Sequence, residues 1–362
     1  MNRRTSRMAV VFGLVLCLAM MARTSCVTAT SLGSRIEELK AKAVREGGVI
    51  YTYGMPDTWA NYEKIFAEFE RMYGIKHQDI DMGSAVVLSR MSEENAAKND
   101  IADLRPSFAI SLAERGLTAD YKVTVWDSIP ASQKGIGPSG SVWNAAYKGT
   151  MGWIVNTRMV KNVPTKWSDL TRPEYKGIIS YMDPRATGTG ICTVEAVSTA
   201  MCGDPYNYKA GAEFLGKLHK LGQVAIVDPK VTVAKYQRGE VGILINVDYN
   251  LLKWSDELGI PSRVVIPEDG TVSSGHSVVI AKSAPHPYTA RLFLEFLMSD
   301  AGQQLYAEAF VLPIRQDVAM PNAVAAKMPS ASAYRAAAFI DYAREAEISE
   351  NLAKAWAEAT GQ

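Results

Sequence analysis

Residues 180–204, SYMDPRATGTGICTVEAVSTAMCGD, decide how the chain is read. They begin as the end of a strand and turn at Asp183-Pro184. A loop of small residues follows, Arg185-Ala186-Thr187-Gly188-Thr189-Gly190. The spacing predicts a helix from Ile191 to about Met201, with Gly203 as its stop signal. Two threonines and two glycines at a helix start leave backbone N–H groups unshielded. Together with the positive end of the helix dipole they suit an anion. Read without a ligand, Thr187 or Thr189 is an N-cap and the glycines shape a turn.

On either side of this stretch, short apolar runs alternate with amphipathic ones. Upstream, strands are predicted at 49–53, 75–82 and 101–105. Helices follow near Trp59, over 85–98 and after Pro106-Ser107. The helix near Trp59 carries Tyr62, Ile65, Phe66, Phe69 and Met72 at spacings of three and four, an apolar stripe. Downstream, strands are predicted at 178–182, 224–228, 241–248 and 263–267, with helices over 208–221 and 232–238 and one beyond Asn250. A mostly parallel sheet with helices on both faces is expected, with ligands beyond the carboxyl ends of its strands. The loops 54–59, 83–85 and 105–107 lie at such ends. Two long extended stretches, 143–156 and 271–282, separate the α/β sets, and 321–362 is Ala-rich and reads as about two helices.

Of the 362 residues, 48% are hydrophobic and 21% charged, enough for two domains with real cores. The net charge of +1 and the scattered aromatics argue against a nucleic-acid binder. Arg3, Arg4 and Arg7 followed by the apolar run 8–21 read as a secretory signal over 1–29, cleaved near Val27-Thr28-Ala29. Cys26 raises a lipid anchor as the lesser alternative. Removing 1–29 leaves 35 basic against 38 acidic residues. Cys192 and Cys202 lie ten residues apart on one predicted helix. They are about 15 Å from each other, too far for a disulfide. Both are expected as packing thiols.

Several phrases together resemble the periplasmic solute-binding proteins of ABC importers. PTKWSDLTRPEYKGI at Pro164–Ile178 is similar to the family's P-x-x-W-x-D-L-x-x-P-x-Y-K-G-x-I. Asp183–Gly190 is similar to its D-P-x-x-S/T-G-T-G, and Ser274–Lys282 to its returning strand. HPYTARLFLEFLMSDAGQ at His286–Gln303 is similar to N-P-x-x-A-x-x-F-x-x-F-L-x-S-x-x-G-Q. The resemblance spans roughly residues 45–320. It implies a two-lobed, type II periplasmic-binding-protein fold, each lobe a mostly parallel sheet flanked by helices, joined by two crossing strands. Lobe 1 is expected at 30–150 and 268–320, lobe 2 at 151–267, with C-terminal helices over 321–362 packing on the lobes. It also implies closure on a small solute, with Gly149, Gly152, Gly270 and Gly275 near the hinge. Delivery to a permease in the inner membrane follows, by a periplasmic monomer with no cofactor and no catalysis.

Carried over position by position, the cleft residues are Met55, Pro56, Asp57 and Trp59 in the first loop and Ser84 in the second. Thr187, Gly188, Thr189 and Gly190 lie at the central helix, with Arg185 beside them, and Asp248 and Tyr249 follow a late strand. Asp57 and Ser84 read equally as N-caps, and Trp59 as a lid on its own loop. Arg90 reads as a solvated helix face. The Thr-Gly-Thr-Gly run favours an anionic group on the solute: phosphonate, phosphate ester or carboxylate. If Asp57 or Asp248 faces the cleft, an amine at the far end is implied, as in an aminoalkylphosphonate. Ferric iron is the second reading, because one phenolate and one carboxylate at Asp248-Tyr249 suit a hard metal, yet the tyrosine pair of ferric-binding members is missing. His77, His219, His276 and His286 show no metal-ligand spacing. A polyamine also stays open, with Asp57, Asp103, Asp248, Trp59 and Tyr249 as its walls. No catalytic motif is recognisable; the nearest, Ser273-Ser274-Gly275-His276, lacks the glycine and the turn of a nucleophile elbow.

Overall fold

In a computed structural model the described residues are 33–93, 98–228 and 231–362. The signal segment 1–29 and Cys26 lie outside them. Helix α1 (33–43) leads to β1 (Val49–Tyr53), α2 (Tyr62–Tyr73), β2 (Lys76–Ile80), α3 (Ser84–Glu93), β3 (Ile101–Leu104) and α4 (Pro106–Glu114). Then come β4 (Lys134–Ile136), β5 (Val142–Asn156), β6 (Ile179–Ser180), α5 (Gly188–Cys202), α6 (Tyr208–Lys220), β7 (Val224–Ile226), α7 (Thr232–Gln237), β8 (Ile243–Val247) and α8 (Asp248–Glu257). The chain closes with β9 (Ser262–Val265), β10 (Thr271–Ile280), α9 (Pro287–Met298), α10 (Asp300–Glu308), β11 (Leu312–Pro313), α11 (Asn322–Ala325), β12 (Ala337–Phe339) and α12 (Tyr342–Thr360).

The strands form one sheet in the order β2-β1-β3-β10-β5-β8-β6-β7. At one end β1 runs parallel to β2 and β3; at the other β6 runs parallel to β7 and β8. The long strand β5 joins the two halves. Its stretch Ala145–Thr150 pairs antiparallel with β10, and from Met151 it pairs with β8 and β9 instead. Every residue of β5 except Lys148 is buried, so it is covered on both faces and shows no polar alternation. Helices pack on the sheet through aromatic clusters; Phe66 of α2 stacks on Phe293 of α9 at 4.6 Å.

Helix α2 starts at Tyr62, directly after the stretch Trp59-Ala60-Asn61 where it is expected, with Ala60 and Asn61 at positive φ turning the chain first. Three local expectations change. Met72, at the end of the predicted stripe, is exposed. Cys192 and Cys202 are separate thiols, but only Cys192 is buried; Cys202 is exposed at the helix end. The Ala-rich tail is not helical throughout. Between the short α11 and the long α12, residues 337–339 form β12, parallel to Thr271–Ser273 of β10.

Candidate solute-binding site

The loops at the carboxyl ends of β1 and β3 build one wall. Met55 is buried, and its N–H donates to Asp79 Oδ1 at 2.9 Å. Asp57 is exposed and caps nothing, since Asn61 is the residue before α2. Trp59 turns inward: its indole Nε1–H donates to the Tyr147 hydroxyl at 2.6 Å. The Tyr147 and Tyr62 hydroxyls donate to Asp103 Oδ2 at 2.6 and 2.7 Å, while Asp103 Oδ1 meets His276 Nδ1 at 2.9 Å. Both Asp103 oxygens are thereby engaged within the protein. Burial, and then the charge of Asp103, push the Tyr62, Tyr147 and Tyr306 phenols well above their ordinary range.

The opposing wall begins at the end of β8. Asp248 Oδ1 accepts the N–H groups of Thr150 and Tyr249, each at 2.9 Å. Its Oδ2 is buried with no hydrogen-bond partner, and burial pushes the carboxyl up to about 6. The Tyr249 hydroxyl is likewise buried and unpartnered. The Tyr249 ring meets Trp59 edge-on at 5.6 Å, so two residues predicted for the site do come together across β5. Gly149 on β5 is what admits this ring; a Cβ there would stand 2.5 Å from Tyr249 Cε1. Gly149 therefore serves a close approach, and of the four glycines placed near the hinge only Gly270 has a positive φ.

The start of α5 takes the capping role. Thr187 is the N-cap, and its Oγ1 accepts the Gly190 N–H at 3.1 Å while donating to the Asp183 carbonyl at 3.0 Å. The helix begins at Gly188, three residues earlier than predicted. Thr189 is buried, and its carbonyl accepts the Thr193 hydroxyl. Arg185 is exposed; it pairs with Asp183 and lies 5.0 Å over the Trp356 ring. Ser84 caps no helix: it opens α3, and its hydroxyl accepts the Arg105 N–H at 3.0 Å. Arg90 is exposed, 5.4 Å over the Tyr53 ring.

At the junction of the walls lies Arg105, which was not among the predicted residues although its loop was. It is 1% exposed. Nε donates to Glu345 at 2.5 Å, Nη2 to Glu195 at 2.6 Å, and Nη1 contacts Cys192 Sγ at 2.5 Å. A Cβ on Gly188 would stand 3.1 Å from Arg105 Cδ, so the first residue of α5 must be small to admit the arginine. Glu345 also accepts the Ser107 hydroxyl at 2.7 Å. Glu195 Oε1 and Glu345 Oε2 remain buried and unpartnered. Burial dominates the remaining titrations: it raises the Glu195 carboxyl, despite Arg105, and pushes the Cys192 thiol to about 11. A cavity of about 360 Å³ opens beside this cluster, lined by Leu88 of α3, Ser107 of α4, Thr187 and Gly188 at α5, and Ser349 of α12. Among the described residues no group of three His, Cys, Asp or Glu side chains is placed to hold a metal ion.

Two parallel half-sheets joined through β5, with loops from both meeting at one buried arginine–carboxyl junction, define a solute-binding protein. Residues 97–335 match the family of bacterial extracellular solute-binding proteins, and the chain belongs to that family. It is 30% identical over 254 residues to an uncharacterised protein of Haemophilus influenzae, covering 66% of this chain and 69% of that one. It is 23% identical over 270 residues to a Salmonella typhimurium protein named for 2-aminoethylphosphonate binding in the periplasm, covering 71% and 75%. The fold is that of the periplasmic binding protein AfuA from Actinobacillus pleuropneumoniae, solved with fructose-6-phosphate bound. The TM-score is 0.72 at 21% identity, over 87% of this chain and 99% of AfuA. Family and fold are those of the binding components of ABC importers, a periplasmic class of protein and not one of enzymes.

Proposed function

We propose that the protein captures a small solute bearing a phosphonate, phosphate ester or carboxylate and hands it to an inner-membrane permease. One observation carries this reading: a side-chain cation, Arg105, is buried at the junction of the two walls against the N-terminal end of α5, its guanidinium held by Glu195 and Glu345. A buried guanidinium with a planar fork of donors suits a tetrahedral or carboxylate acid. The names of the Salmonella relative and of the AfuA complex support an acid of this class.

A second feature favours a zwitterion. Asp248 Oδ2 and the Tyr249 hydroxyl are buried without a hydrogen-bond partner, with the Tyr334 hydroxyl beside Asp248. An ammonium group would satisfy them, as in an aminoalkylphosphonate. The solute would sit between lobe 1 (30–150 and 268–320) and lobe 2 (151–267) and bind only when the lobes close, so binding selects the closed state. The protein works as a monomer in this scheme.

Calorimetry with 2-aminoethylphosphonate, fructose 6-phosphate, spermidine and ferric citrate tests the reading. Heat is expected with one of the first two, and Thr189→Ala at the α5 start is expected to weaken it at least about tenfold, about 1.4 kcal/mol. Heat with spermidine or ferric citrate alone would overturn the acid reading.

A further inference from the structure

The C-terminal segment does more than cover the lobes. After β12 zips onto β10, the Tyr342 hydroxyl accepts the Gly275 N–H at 2.7 Å and donates to Gln133 at 3.1 Å, which fixes the start of α12 over the crossing strands. Asp341 caps the helix by accepting the Ala343 and Arg344 N–H groups. One turn on, Glu345 reaches Arg105 and Ser107. Further along, Trp356 Nε1–H donates to Tyr181 at 2.9 Å, and α12 lies along α6. One helix is thus tied to α4 in the first half of the sheet and to α5 and α6 in the second.

The carboxylate of Glu345 sits where an acidic solute would. Its Oε1 accepts from Arg105 Nε and from Ser107 Oγ, and Ser107 is the second residue of the nine-residue α4, at that helix's positive end. Its Oε2 is fully buried with no partner, an unmet acceptor that makes leaving the seat less costly for Glu345. An oxygen of an incoming acidic group would take the two donors that Glu345 vacates, Arg105 Nε and Ser107 Oγ. The 360 Å³ cavity adjoins the seat and is lined on one side by α12 itself.

We propose that the seat formed by Arg105 and Ser107 receives the acidic group of the solute, and that α12 is an internal strap whose Glu345 holds that seat until the solute displaces it. This rests on the reading of the solute as an acid. The strap ties closure to occupancy: with Glu345 seated the halves are held together, and a solute must supply the same contacts to replace it. The apparent affinity is then reduced by the fraction of molecules in which the strap is docked.

The test compares the full-length protein with Glu345→Gln, using 2-aminoethylphosphonate and fructose 6-phosphate as probes. Calorimetry should show at least about tenfold tighter binding in Glu345→Gln. Hydrogen exchange over residues 342–360 of the unaltered protein should speed up when the probe binds. Equal affinity in the two proteins, or slower exchange in α12 on binding, overturns the strap while leaving the acid reading standing. Heat from neither probe in either protein overturns both. If Glu345→Gln does not fold, the exchange measurement on the unaltered protein decides alone.

Discussion

Asp248 shows how one buried carboxyl can be read as free energy. Its Oδ1 is held by two backbone N–H groups, yet burial outweighs them and holds the group at about 6, against 3.8 when exposed. The folded state therefore binds more protons than the unfolded one between these values. Stability from this group is present at low pH and is lost as pH rises through about 6, by about 3 kcal/mol at neutral pH. Asp248→Asn keeps an acceptor for Thr150 and Tyr249 and removes the ionisation. Urea unfolding at pH 4 and pH 7.5 should show the variant gaining on the unaltered protein by about 2.4 kcal/mol between the two. A difference that does not change with pH would mean the carboxyl is solvated in solution. Arg105 is the opposite lesson. The loop 105–107 was legible as facing the site, but its partners Glu195 and Glu345 lie 90 and 240 residues away, and no spacing rule links them. Removing one side of so buried a group of charges is destabilising by roughly 3–5 kcal/mol.

At the scale of the element, α5 was read correctly as a helix stopped by Gly203, and its alternative reading as a capped turn is what the geometry adopts. Thr187→Ala should remove about 1 kcal/mol of stability through the lost cap. Gly190→Ala should remove more, because a Cβ there would overlap the backbone of Asp183 and Pro184 on the preceding turn. Thermal unfolding of the two variants checks the order; a Gly190→Ala protein as stable as the parent would show that this turn can relax. The tail was misread for a physical reason. Alanine favours a helix over 333–339, yet residues 337–339 gain ladder hydrogen bonds to β10 that no isolated segment offers, and tertiary pairing overrides a weak propensity. Just before α2, Ala60 and Asn61 turn the chain at positive φ, and the Trp59 indole donates to Tyr147.

For the whole molecule, closure and strap act together. A Cβ at Gly83 of the first half would stand 2.7 Å from the Ala186 carbonyl of the second, so the two walls touch in this state. If Glu345 helps hold them, Glu345→Gln should have a larger radius of gyration without solute in solution scattering, and 2-aminoethylphosphonate should reduce it again. A profile unaffected by both the substitution and the solute would describe a rigid body and end the closure scheme.

The sequence alone determined the class of the molecule. Strand and helix periodicity, the two long apolar stretches and the Asp-Pro to Thr-Gly-Thr-Gly run are local patterns, set by which side chains each short segment must bury or cap. Only the tertiary structure decided what fills the junction. The seat at Arg105, the contacts of Asp103 with Tyr62, Tyr147 and His276, and the reach of Glu345 join segments remote in the chain, and such contacts are chosen by the packing of whole elements, which no local run of residues encodes.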